Sequence, residues 1–192
     1  VLMMGTLKQL SRLAAKIARQ PFGLDSIARD ILRILKNAGQ KRFVLKTSRR
    51  KITLGDRTRI MGILNVTPDS FSDGGHFTSH EEALTQARRM IAEGAGILDI
   101  GAESTRPYGS QPVSADEELQ RLRDILPAVT TLGIPVSIDT MKAEVADWAL
   151  TRGAAIANDV WGLQRDPDMA RVVARHGAPV IVMHNRHDVD PA

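Results

Sequence analysis

The sequence predicts an α/β chain of the TIM (β/α)8 barrel class, incomplete here at about five βα units and preceded by an N-terminal β-hairpin and a helical extension. Three observations predict it. From residue 60 onward, short apolar runs alternate with helical stretches, the rhythm of parallel strands joined by right-handed crossovers. Polar residues and glycines crowd the C-terminal end of each proposed strand: Asn65, Asp99 with Glu103 to Arg106, Asp139, Asn158 with Asp159, and His184 with Asn185. A barrel builds its site at that end, whereas an open doubly wound sheet usually shows one dominant phosphate loop. Finally, 192 residues with 43% hydrophobic and 25% charged side chains suffice for one core but fall short of the roughly 250 of a whole barrel.

Residues 1–40 read as a basic helical extension. Leu7, Leu10, Leu13, Ala14 and Ile17 recur at helical spacing, with Lys8, Arg12, Lys16 and Arg19 elsewhere on the wheel. This acid-free, Arg-bearing stretch leaves a docking helix or an organelle transit segment open and shows no secretory signal pattern. Pro21 and Gly23 interrupt it, and a second helix is expected over 25–38 through Ile27, Ile31, Ile34 and Leu35, closed by Asn37-Ala38-Gly39.

Residues 41–192 are expected to form the partial barrel. Alternation over 42–54 about the polar turn from Thr47 to Arg50 reads as a β-hairpin. Strands follow at 60–66, 97–101, 136–139, 155–159 and 180–184, with helices starting near Ser79, Ser114, Lys142 and Pro167. Ser79-His80-Glu81-Glu82 and Ser114-Ala115-Asp116-Glu117 have the capping-box form, and Pro167 suits a first helical position. Gly94, Gly133, Gly153 and Gly177 stand where helices should stop. The stretch 67–78, rich in Gly, Ser, Asp and Pro, reads as a mobile lid, and Met61, Met90, Met141 and Met183 read as core.

Charge and composition exclude several function classes. The chain has no cysteine, which removes disulfide frameworks, thiolate metal sites and cysteine nucleophiles together. No apolar run approaches the roughly 18 to 20 residues of a membrane helix. The net charge of +4 hides a division: residues 1–60 carry 15 Lys and Arg against 3 acids, and residues 61–192 carry 11 against 19. The basic balance therefore belongs to the N-terminal third, and the main domain is not expected to bind nucleic acid.

The stretch Met61-Gly62-Ile63-Leu64-Asn65-Val66-Thr67-Pro68-Asp69-Ser70-Phe71-Ser72-Asp73-Gly74-Gly75 resembles the first signature of the dihydropteroate synthase family. Leu98-Asp99-Ile100-Gly101-Ala102-Glu103-Ser104-Thr105-Arg106-Pro107 resembles the second. Val136-Ser137-Ile138-Asp139-Thr140 and Ala157-Asn158-Asp159-Val160 are similar to the third and fourth strand ends. The resemblance implies a barrel of the pterin-binding type in which p-aminobenzoate attacks 6-hydroxymethyl-7,8-dihydropterin diphosphate, giving 7,8-dihydropteroate and pyrophosphate with Mg²⁺ as cofactor. It implies Asn65 at the metal and pyrophosphate, Asp139 and Asn158 at the pterin edge, and Thr105, Phe71 and Pro107 in substrate binding. Asp73 then stabilises a cationic pterin intermediate or orders the loops, and Arg106 offers a planar fork for an anion. It further implies a cytoplasmic enzyme with small-molecule substrates and possible homodimerisation.

Each assignment has a plainer alternative. Asp139 or Asn158 alone could cap the following helix, Asp69 could make an Asx-turn, and Asp99 could be a buried group holding loops. His184 without partners reads as structural. Ala102 and Tyr108 depart from the family pattern after Gly101 and Pro107. The family's later groups, a further pterin-binding Asp, a Lys-bearing strand and an Arg-x-His anion site, have no counterpart before residue 192. Two other readings stay open on sequence: a methyltetrahydrofolate methyltransferase-like pterin-binding domain, and a truncated pterin-binding fragment without activity.

Overall fold

The structure is a computed structural model describing residues 3–47, 50–67, 75–103 and 113–184. The chain divides into two compact units, Val1–Phe43 and Val44–Ala192. In the first, α1 (Leu7–Ile17) and α2 (Asp25–Ala38) form where the apolar spacing places them. The Thr6 hydroxyl accepts from the Gln9 amide at 3.3 Å while Gln9 Oε1 accepts from the Thr6 amide at 2.8 Å, a reciprocal cap that sets the first start. Ala14, Ala28 and Ile31 are the buried residues of the pair. Two of the three are alanines, which let the helices approach closely.

The second unit begins inside a hairpin, β1 (Phe43–Lys46) and β2 (Lys51–Leu54). The Thr47 amide donates to the Arg50 carbonyl at 2.9 Å. A connection this short requires antiparallel pairing. Five further strands, β3 (Met61–Asn65), β4 (Ile97–Gly101), β5 (Val136–Asp139), β6 (Ile156–Asp159) and β7 (Val180–Val182), form one sheet in chain order. Every pairing in it is parallel. Helices α3 (Gly75–Ala92), α4 (Ala115–Leu122), α5 (Ile125–Thr130), α6 (Ala143–Thr151) and α7 (Met169–His176) lie between these strands in the chain. Strict sequential order is barrel-like, because a doubly wound sheet reverses its order partway. The unit is thus the incomplete α/β barrel that the sequence predicts.

Three boundaries differ from expectation. α3 starts at Gly75, so Ser79 to Glu82 lies inside a helix already under way, and the proposed lid stretch loses its last four residues to that helix. The helix expected from Ser114 is two helices parted at Arg123 and Asp124. Pro127 supplies the reason: it has no N–H for the carbonyl four residues back, and its ring crowds that carbonyl. α7 starts at Met169 with Asp168 as its cap, two residues past Pro167. Other expected punctuation is observed. The Ser114 hydroxyl accepts from the Glu117 amide at 3.2 Å, and Gly177 ends α7 in the left-handed conformation at φ 56°.

Alternation along the strands gives the sheet two different faces. Leu64, Leu98, Ile100, Val136, Ile138 and Ala157 point to the helices and join Leu84, Leu126, Val145, Met169 and their neighbours in the main core. On the opposite face Ile97 and Ile156 pack with Ile52 of the hairpin, with Met61, Leu45, Leu54 and Ile181 around them. The hairpin therefore plugs the N-terminal end of the inner face. Among the methionines expected in the core, Met141 is buried, but Met183 is 54% exposed because it lies past the end of edge strand β7.

Candidate functional site

Register brings the strand ends into one row. Asn65 pairs with Gly101, Gly101 with Asp139, Asp139 with Asn158, and Asn158 with Ile181. Residues paired in this way project from the same face, so Asn65, Asp139 and Asn158 share one polar ledge at the C-terminal edge of the inner face. Asp99 lies two residues below Gly101 on β4 and points the same way. The inner face thus turns from apolar at the hairpin end to polar at the strand ends.

Gly101 makes room between the outer members. A Cβ there would lie 3.3 Å from Asp139 Oδ2 and 3.7 Å from Asn65 Oδ1. A glycine at this point keeps the ledge open for a ligand group lying between the amide and the carboxylate.

Asn158 and Asp99 hold each other. Asn158 Nδ2 donates to Asp99 Oδ2 at 2.9 Å, and Asp99 is 3% exposed. The helix-cap alternative for Asn158 is not met, because the next helix, α7, is capped at Asp168, ten residues further on. The neighbouring Asp159 performs the local turn duty instead. Its carboxylate accepts from the amides of Trp161 and Leu163, each at 2.8 Å, and stabilises a turn in which Leu163 adopts φ 66°.

Asp139 is the electrostatic centre of the ledge. Burial is the main cause that raises its pKa to about 7, and the charges of Asp99, Glu118, Asp159 and Glu103 add to it. Its Oδ1 is buried and has no hydrogen-bond partner, as is also true of Asp99 Oδ1 and Ser137 Oγ just below. A carboxylate in this state awaits a donor, and a ligand presenting N–H groups would satisfy it and favour its ionised form. A planar heterocycle with alternating donors and acceptors along one edge matches this set.

The remaining sequence-predicted residues, Phe71, Asp73, Thr105, Arg106 and Pro107, together with Asp69, lie outside the described residues. No group of three or more His, Asp or Glu side chains suited to a metal ion occurs among the described residues. The structure adds residues that sequence reasoning passes over. Lys142 Nζ donates to Glu118 Oε2 at 2.7 Å and also contacts Glu103 Oε2. Arg121 Nη1 donates to the Ala102 carbonyl at 2.7 Å. In sequence, Glu118 sits near Asp116, Glu117 and Arg121, the pattern of a solvated helix. Nothing in that pattern signals that it is buried.

Known proteins share both the sequence pattern and the fold. Dihydropteroate synthase of Bacillus subtilis is 51% identical over 144 residues, covering 74% of this chain and 50% of that protein. Dihydropteroate synthase from Thermus thermophilus in complex with 6HMPPP superposes with a TM-score of 0.62 at 48% identity, over 75% of this chain and 50% of that one. The Xanthomonas albilineans dihydropteroate synthase with 4-aminobenzoic acid gives 0.70 at 43% identity, over 78% and 54%. The chain spans about half the length of these relatives. Residues 61–191, which include every strand of the parallel sheet and all three ledge side chains, match the family described as pterin binding enzyme, and the chain belongs to that family.

Proposed function

We propose that this chain is part of a dihydropteroate synthase of folate biosynthesis, a transferase that joins 6-hydroxymethyl-7,8-dihydropterin diphosphate to p-aminobenzoate and releases pyrophosphate. The observation that carries the reading is the buried, unpartnered Asp139 Oδ1 beside the Asn158–Asp99 pair. Asp139 takes the pterin's ring and amino N–H groups, and Asn158, oriented by Asp99, offers its amide oxygen to the same edge. Ser137 and Gly101 leave the floor and the gap free. The complexes of the Thermus and Xanthomonas relatives support both substrates.

Asn65 stands exposed at the end of β3, across Gly101 from Asp139. Its oxygen suits Mg²⁺, which binds proteins through few side chains and completes its shell with phosphate oxygens and water. A single neutral oxygen, with no acidic cluster suited to a metal among the described residues, fits an ion delivered with a diphosphate better than a resident one. When bound, Mg²⁺ neutralises charge on the departing pyrophosphate. Asp73 and Arg106 are assigned to charge stabilisation, Phe71 and Pro107 to the aminobenzoate side, and Thr105 to substrate binding, on the signature resemblance alone.

The family resemblance favours a cytoplasmic location, with an organelle matrix as the alternative that the basic first helix leaves open, and leaves homodimerisation open. No helix among the described residues is long and apolar enough to cross a membrane. Residues 1–40, a basic helical extension, are assigned no part in the chemistry. The test is pyrophosphate release by the full-length gene product with both substrates and Mg²⁺. Pterin binding without release in the presence of p-aminobenzoate would refute the synthase reading.

A further inference from the structure

Beside the ledge lies a charged clamp that the proposed chemistry does not use. Glu103 follows β4, and its side chain is only 8% exposed. Its Oε1 accepts from the Val113 amide at 3.2 Å, so one carboxylate ties the β4 exit to the residue before the Ser114 cap of α4. Its Oε2 contacts Lys142 Nζ. The same ammonium donates to Glu118 Oε2, whose side chain is fully buried. Lys142 stands three residues after Asp139, with its amide on the Thr140 hydroxyl at 3.2 Å, and the Thr140 amide donates to the Asn158 carbonyl at 3.1 Å. Arg121, from the same helix as Glu118, holds the Ala102 carbonyl.

We infer that Lys142 is a positioning residue that locks Glu103 and Val113 to the end of β5 and so holds the β4 exit in register with Asp139 and Asn158. A buried carboxylate pair would repel without a cation, and one long flexible ammonium can donate to both at once. Few side chains could replace it. The clamp spans three separate stretches, the β4 exit, α4 and the β5–α6 junction, and joins the ledge through the Thr140 amide on the Asn158 carbonyl and through the charges of Glu103 and Glu118 on Asp139. A shift at Lys142 therefore changes where the β4 exit lies relative to the ledge without removing any ligand-contacting group. Errors of about 1 Å in such placement can cost on the order of a hundredfold in rate.

The inference rests on the synthase reading for its turnover arm and on amide exchange for its structural arm. In the full-length protein, Lys142→Met is expected to speed exchange of the Val113 amide at least tenfold and to lower kcat at least tenfold. The dissociation constant for 6-hydroxymethyl-7,8-dihydropterin diphosphate should stay within threefold of wild type. Lys142→Arg, which keeps the charge, should recover most of both losses. Should Lys142→Met fail to fold, Glu103→Gln carries the same test, since it keeps an acceptor for Val113 and loses the ionic partner. The paired variant Glu118→Met with Lys142→Met separates positioning from plain stability. If it restores the melt and also restores turnover and Val113 protection, the clamp is only structural and the inference falls. Unchanged exchange and turnover in Lys142→Met overturn it as well. A wild-type protein that makes no pyrophosphate overturns the synthase reading alone, and Val113 exchange then decides the clamp by itself.

Discussion

Replacing Asp139 by asparagine should change how stability depends on pH, because the residue's pKa is raised from 3.8 to about 7, chiefly by burial. Between those values the folded chain holds a proton that the unfolded chain has released. Unfolding then releases a proton, so the free energy of unfolding falls as pH rises through the window, by up to about 1.4 kcal/mol per pH unit. A shift of about 3 units corresponds to about 4 kcal/mol at most, and the residue's partial exposure reduces this to about 2 to 3 kcal/mol. The substituted side chain in Asp139→Asn has no proton to release and nearly the same shape. Urea titrations of both proteins at pH 4.5, 6, 7 and 8 should give a stability difference near its minimum at pH 4.5 that grows in favour of Asp139→Asn up to pH 8. Any constant packing offset cancels in that comparison. A difference that stays flat within about 0.5 kcal/mol across the range would refute the buried-carboxyl account. The variant should also bind pterin diphosphate at least tenfold more weakly, since it replaces a charged acceptor with a neutral amide.

Asn158→Ala leaves Asp99 Oδ2 without its donor and should cost about 1 to 3 kcal/mol in urea unfolding while weakening pterin affinity in a fluorescence titration. Unchanged affinity would remove Asn158 from the site. Asp147 accepts from His176 at 2.5 Å and Arg175 at 2.6 Å, and these contacts hold its carboxyl below the usual range, so its contribution is present above pH 4 and is lost as pH falls through the lowered value. Asp147→Asn should therefore flatten the acid limb of the stability profile by no more than about 0.5 kcal/mol, as befits a largely exposed pair. Deleting residues 1–40 from the full-length protein should leave turnover within about twofold in the pyrophosphate assay, and a large loss of kcat with folding intact would give that extension a catalytic part.

Much of this is readable in the sequence because the parallel strands announce themselves twice. Val136 to Asp139 and Ile156 to Asp159 open on apolar residues and end in polar ones. That break in pattern locates Asp139 and Asn158 without any knowledge of contacts. The roles of Phe71, Asp73, Thr105, Arg106 and Pro107 rest on the signatures they occupy. The clamp is not readable, because Glu103, Glu118 and Lys142 meet only in three dimensions and each is ordinary among its sequence neighbours. The split between α4 and α5 is readable in principle, since Pro127 stands in the chain where a single helix would need its N–H. Met183 escapes sequence reasoning because hydrophobicity alone does not say which residue lies past the last pairing of a strand.

The change of character along the inner face has a consequence for how this protein can vary. Ile52, Ile97 and Ile156 pack at one end, while Asn65, Gly101, Asp139 and Asn158 form the proposed site at the other. The two storeys sit on the same strands. On the proposed function, substitutions at Asp139 should change which heterocycle is accepted while sparing, or even raising, resistance to unfolding, since a buried unpaired acid destabilises the fold, whereas Asn158 also carries the hydrogen bond to Asp99. Substitutions on the lower storey should do the reverse. A library randomised at Asn65 and Asp139 should therefore yield mostly folded proteins with altered ligand preference, and one randomised at the three isoleucines mostly proteins that fail to fold.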